Sequence, residues 1–301
     1  MPTPGARGTI AAMTVAFVLG GGGVRGAVHV GMLQALFEAG VAPDLVVGTS
    51  IGAINGAAVA AEPSTAVVDR LAAAWASPTA NEVYGEPWYR QLTRLARSRT
   101  HLYDPAALRR LIAGTLGEHA SFEDLAVPLV VAAASIERSS EHWFDSGPLV
   151  EAVLASASVP GALPPTEIDG EHFVDGGMVN SIPLGEAVRR GATTVYVLQV
   201  GRVEEPLTVP TKPSDVARVS FEIARRHRYF RELEEARRVA TVHVLPTGGA
   251  LPGDAKLGAF RKLDVTQRRI AQSYAAASAY LSDAATRGAP GDTSDGAGGD
   301  A

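Results

Sequence analysis

The sequence predicts an α/β domain on a mainly parallel sheet, and three observations carry that expectation. Residues 14–19 are a continuous run of β-branched and apolar side chains, as a strand buried on both faces requires. Four glycines, Gly20 to Gly23, close that run directly before a segment whose apolar residues recur at helical spacing. A second apolar run at 44–48 then leads into a helix of small residues, so strand, glycine loop, helix, strand and helix alternate.

The first helix is read from Val24, Ala27, Val28, Gly31, Met32, Ala35 and Leu36, with Gly40 where it should stop. The second covers 51–61, and residues 64–116 read as mostly helical. Further strands are expected at 129–135, 141–144, 172–174, 194–200 and 241–245. Further helices are expected at 148–156, 183–190, 215–238 and 261–286. From 287 the chain contains no aromatic or large aliphatic residue and should be disordered, as should 1–13. With no repeat and no internal linker, 14–286 reads as one domain.

Composition narrows the function classes. The 301 residues are 46% hydrophobic and 20% charged, enough for a large core. A net charge of -5 argues against general nucleic-acid binding and against unaided adsorption to an anionic membrane. The absence of cysteine excludes disulfides, thiolate catalysis and zinc–thiolate sites. Residues 7–19 have the apolar core of a signal peptide. They run into the glycines without a small-x-small cleavage site, so they read as the first strand. No stretch reaches the roughly 20 apolar residues of a transmembrane helix. A soluble, cytoplasmic protein is expected.

Gly48-Thr49-Ser50-Ile51-Gly52 is a G-x-S-x-G pentapeptide between a buried strand and a helix. A sharp turn there lifts the serine hydroxyl clear of the sheet, Gly48 and Gly52 let the turn close, and the helix aims its positive end at the nucleophile. Gly21-Gly22-Gly23-Val24-Arg25-Gly26 ends the first strand and can bring backbone N–H groups onto an anion. Gly21, Gly23 and Gly26 also satisfy G-x-G-x-x-G. A dinucleotide site, however, wants an acidic residue at the end of the second strand, where this chain has its serine turn. The two loops lie on adjacent strand–helix units and should meet at the carboxyl edge of the sheet. An anion hole beside a nucleophile is an acyl-transfer site.

The base is less obvious. Among His29, His101, His119, His142, His172, His227 and His243, the late one, His243, sits inside a strand, where a triad histidine should follow a strand on a loop. Val174-Asp175-Gly176-Gly177 instead offers a carboxylate at a strand end, released by two glycines into a tight turn; a simple Asp-Gly turn is the plain alternative.

In order, the glycine loop 21–26, the pentapeptide 48–52 and Asp175-Gly176-Gly177 resemble the three signature blocks of patatin-like phospholipases. A fourth block, Ala155-Ser156-Ala157-Ser158-Val159-Pro160-Gly161-Ala162-Leu163-Pro164-Pro165, is similar to that family's Ala-Ser-x-x-x-Pro-x-x-Phe-x-Pro segment, with Leu163 in place of phenylalanine. The resemblance implies a three-layer α/β/α sandwich and a Ser50–Asp175 dyad without histidine. It implies an oxyanion hole from Gly21, Gly22, Gly23, Val24, Arg25 and Gly26, with the amides around Gly22, Gly23 and Val24 holding the charge. Gly176 and Gly177 follow the base, and Asn180 and Pro183 shape the loop behind it. No cofactor and no metal are implied. The implied substrate is a lipid or lysolipid ester, with transient membrane-surface contact. The pH profile of such a dyad is expected to lack an essential ionisation near the histidine value of about 6.5.

Two further readings complete the expectation. Trp88, Leu92 and Leu95 share one helical face beside Arg90, Arg94 and Arg97, which suits either an interfacial lid or an ordinary packed helix. On the same site, a non-lipid esterase, an acyltransferase or a silent regulatory module are the competing functions. The oligomeric state is left open.

Overall fold

The computed structural model describes residues 15–77, 98–118, 120–201, 203, 205–249 and 263–288. The expected disordered N-terminus, the amphipathic stretch 88–97 and the tail from 289 lie outside these.

Eight strands form one sheet: β1 (Val15–Leu19), β2 (Leu45–Thr49), β3 (Leu129–Ser135), β4 (Ser140–Phe144), β5 (Thr166–Ile168), β6 (Glu171–Asp175), β7 (Thr194–Leu198) and β8 (Thr241–Val244). β3, β2, β1, β7 and β8 run parallel in that spatial order, while β4, β5 and β6 add antiparallel pairs. Along β1, Phe17 and Leu19 point into one apolar cluster, and Ala16 and Val18 into another. That two-sided burial is why the run contains no polar side chain.

The helices among the described residues divide between the two faces. On the Phe17 side lie α1 (Ala27–Glu38), α2 (Ile51–Ala61), α3 (Thr65–Ala76), α4 (Pro105–Leu116), α5 (Leu149–Ser156) and α8 (Leu263–Gly288). On the Val18 side lie α6 (Leu184–Arg189) and α7 (Pro213–Ala236), through Leu184, Ala187, Tyr229, Leu233 and Ala236. The result is a three-layer α/β/α sandwich. α8 extends through Arg287 and Gly288, into the segment expected to begin the tail. The expected first helix is divided: Gly23–Gly26 is a 3-10 turn and the α-helix starts at Ala27.

The register around β3 positions the site. Residues 133–135 of β3 pair with β4 and with β6 at once, so those two strands take opposite edges. Residues 131 and 132 pair with β4 as well as with β2, which places β2 on the same edge as β6. β2 runs parallel to β3 and β6 antiparallel, so their carboxyl ends approach head to head, Thr49 opposite Ala132 and Asp175 opposite Ala133. Two strands distant in sequence thereby deliver Ser50 and Asp175 to one point.

Candidate active site

Ser50 forms the turn between β2 and α2 with φ 57 and ψ -124, a conformation that costs a non-glycine residue on the order of 1–3 kcal/mol. The turn is tied down from several sides. The Ser50 N–H donates to Ser156 Oγ at 2.8 Å, and Ser156 Oγ donates to the Ala132 carbonyl at 2.6 Å, which fixes the elbow to α5 and β3. Thr49 Oγ1 donates to the Asn180 carbonyl at 2.8 Å. Gly52 is required sterically, since a Cβ there would lie 2.0 Å from the Leu19 carbonyl oxygen. Replacing Ser156 with alanine leaves two buried backbone groups short of a partner. It should cost about 2 kcal/mol in a denaturant melt, and an unchanged midpoint would show that the elbow holds itself.

Asp175 is buried at the end of β6. Ser50 Oγ donates to its Oδ2 at 2.6 Å, and the Gly177 N–H donates to its Oδ1 at 2.7 Å. Burial, which outweighs both hydrogen bonds, pushes the carboxyl up to about 6. The expectation of a pH profile without an ionisation near 6.5 is not a test of the dyad for that reason. A desolvated aspartate titrates close to where a histidine would, so the profile alone does not tell them apart.

Ser50 and Asp175 open into a cleft that Gly21, Gly22, Gly23, Arg25 and Gly177 also line. The Gly21 N–H donates to the Ser181 carbonyl at 2.8 Å and is thereby used. The Gly22 and Gly23 amides donate to no described residue, and Gly23 adopts φ +58, the left-handed conformation that glycine tolerates. Val24 and Gly26 belong to the 3-10 turn that follows. Gly48 and Gly176 are buried beneath the cleft. Asn180 is buried, with its Nδ2 donating to Glu232 Oε1 at 2.9 Å, and Pro183 caps α6.

None of the described histidines lines the cleft. His29 lies in the core under the glycine loop. Asn55 Nδ2 donates to its Nδ1 at 3.2 Å and to the Gly26 carbonyl at 3.0 Å, and burial lowers its pKa to about 3, so it stays neutral. His142 packs against Phe144 and Phe173, His243 stacks on Tyr196, and His172 faces Glu137. His119 lies outside the described residues.

Sequence reasoning did not single out Val200, Phe221, Glu222 and Arg225, which complete the cleft from the end of β7 and from α7. Nothing in the 3.6-residue pattern of α7 marks them, because only the β7–α7 crossover carries them to the carboxyl edge. Val159 and Pro160, from the fourth motif block, line it as well, together with Met178.

A sequence profile described as Patatin-like phospholipase matches residues 17–188. Neuropathy target esterase sws of Drosophila melanogaster is 34% identical over 194 residues, which is 64% of this chain and 13% of that protein. Patatin-like phospholipase domain-containing protein 6 of Homo sapiens is 37% identical over 194 residues, 64% of this chain and 14% of that protein. The chain thus corresponds to a small part of either relative. Among solved structures, VipD from Legionella pneumophila aligns over 90% of this chain and 67% of its own, with 13% identity and a TM-score of 0.49. The matched profile covers more than half of the chain and contains the glycine loop, the serine elbow and the Asp-Gly-Gly turn: the chain belongs to the patatin-like phospholipase family.

Proposed function

We propose that the protein is a serine lipid acyl hydrolase of the phospholipase A or lysophospholipase type, working through a Ser50–Asp175 dyad. The observation that carries this reading is the 2.6 Å hydrogen bond from Ser50 Oγ to a buried carboxylate inside a cleft lined by open backbone amides. Ser50 Oγ attacks the ester carbonyl as its proton passes to Asp175 Oδ2. The carbonyl oxygen becomes an oxyanion facing the Gly22 and Gly23 amides, at the positive end of α2. Collapse expels the alcohol, which takes the proton from Asp175 and leaves an acyl-Ser50. Water then attacks the acyl group, giving its proton to Asp175, and the fatty acid leaves as Ser50 is reprotonated. A carboxylate is a weak base toward an alcohol, and its upward-shifted pKa narrows that gap.

Val159, Pro160, Met178, Val200 and Phe221 give the cleft an apolar wall suited to an acyl chain. Val159, Met178 and Phe221 remain exposed at its rim, which suits transient contact with a lipid surface. Among the described residues no helix is long and apolar enough to cross a membrane. Reaction with a fluorophosphonate probe followed by peptide mapping tests the reading. Labelling should fall on Ser50, and an unlabelled protein or a label on another residue would refute it.

A further inference from the structure

We propose that Arg225 selects substrates that carry a phosphate group beside the scissile acyl ester. This rests on the hydrolase reading above and adds to it a charged subsite on α7, outside the region that the family profile matches.

Phe221, Glu222 and Arg225 lie at i, i+1 and i+4 on the turn of α7 that reaches the cleft, so the helix presents one apolar and two charged side chains to it. The Arg225 side chain is 8% exposed. Its Nη2 donates to Glu222 Oε2 at 2.8 Å, and its Nη1 lies 3.4 Å from Ser181 Oγ, beside the loop that holds Gly21. Among the described residues its buried Nε has no hydrogen-bond partner. A guanidinium has five N–H donors, so one fixed by a single carboxylate and a long serine contact keeps donors to spare. Buried donors of this kind are normally satisfied, so the guanidinium keeps hydrogen-bonding capacity for a ligand in the cleft that it lines.

The charge balance points to the sign of that ligand. Glu222 is surrounded by Arg225, by Arg226 at 3.5 Å and by the field of Arg25 from the glycine loop. Burial would raise its carboxyl, yet these cations hold it below the ordinary carboxylate range. Arg25, Arg225 and Glu222 all line the cleft, so guanidinium groups face it beside the carboxylate. Guanidinium groups fit phosphate oxygens in a fork, and Glu222 holds this one in a fixed orientation. Val159, Pro160 and Met178 line the same cleft with apolar side chains. The cleft therefore offers apolar lining to an acyl chain and a guanidinium to a phosphate diester, with Ser50 in the same cleft.

The test compares lysophosphatidylglycerol with the monoacylglycerol of the same acyl chain, in the same detergent micelles, for wild type, Arg225→Gln and Arg225→Lys. The phosphate diester of lysophosphatidylglycerol carries no cation, so Glu222 has nothing to attract. Arg225→Gln should reduce the preference for the phosphate-bearing ester, as a ratio of kcat/KM values, on the order of 30-fold, mainly through KM, with Arg225→Lys between the two. Equal losses on both esters, or none on either, would overturn the proposal. Inorganic phosphate is run as a competitor: if it saturates the site while the ester preference stays unmoved by Arg225→Gln, the corner takes free phosphate and not a headgroup. Ser50 labelling by the fluorophosphonate is followed in parallel and reports on the hydrolase reading separately. Calorimetric binding of glycerol 3-phosphate decides Arg225 without turnover: wild type should bind on the order of 30-fold more tightly than Arg225→Gln, and equal affinities would end the proposal.

Discussion

Ser50→Ala should abolish ester turnover, and Asp175→Asn should lower kcat on the order of a thousandfold, the scale of a lost general base. The first change removes the nucleophile. The second keeps the shape of the side chain and its bond from the Gly177 N–H at 2.7 Å, but an amide cannot take the Ser50 proton. In a Ser-His-Asp triad the acid orients a histidine that can still act as base after the acid is lost. Here the carboxylate touches Ser50 directly, and none of the described histidines lines the cleft to stand behind it as a second base. Single His→Ala changes at all seven positions should therefore leave most of the activity in the folded protein. His29 is the variant to interpret with care, because its Asn55 contact also supports the glycine loop. A histidine variant that folds normally yet loses on the order of a thousandfold in kcat would return the protein to the triad class.

Much of the architecture was legible because its determinants are local. A strand buried on both faces leaves an unbroken apolar run, and β1, β2 and β3 each announce themselves so. The three-residue β5, Thr166-Glu167-Ile168, was missed, since it is too short to show a period and is held by its neighbour β6. The glycine loop and serine elbow were readable because backbone conformation dictates their residue types. What joins the site was not. Ser50 and Asp175 stand 125 positions apart and meet because β2 and β6 abut on one edge of β3, a fact of strand register that no window of sequence contains. Ser156 shows the same limit: it lies in a motif that was recognised, but its role as acceptor of the Ser50 amide appears with the α5–β3 packing. Arg225 and the raised Asp175 carboxyl depend on burial by elements far along the chain, which composition does not report.

On the proposed dyad, that carboxyl should make stability and activity pull in opposite directions with pH. Asp175 is raised from 3.8 to about 6 by burial, so its folded form holds a proton more tightly than the unfolded chain does. The sign follows: the favourable contribution is complete below about pH 4 and is lost as the pH rises through about 6. Above that, ionised Asp175 costs the fold about 3 kcal/mol relative to its neutral form, from roughly two pKa units at 1.36 kcal/mol each. The proposed base works only when ionised, so kcat/KM should rise through about pH 6 over the same interval in which the fold should weaken. Asp175→Asn is neutral throughout. It should be more stable than wild type by up to about 3 kcal/mol at pH 8, and the advantage should vanish near pH 3.5. Denaturant melts of both proteins across pH 3.5 to 8 measure this directly. Parallel curves would mean that Asp175 titrates at its ordinary value, and that the ionisation controlling activity belongs to another group.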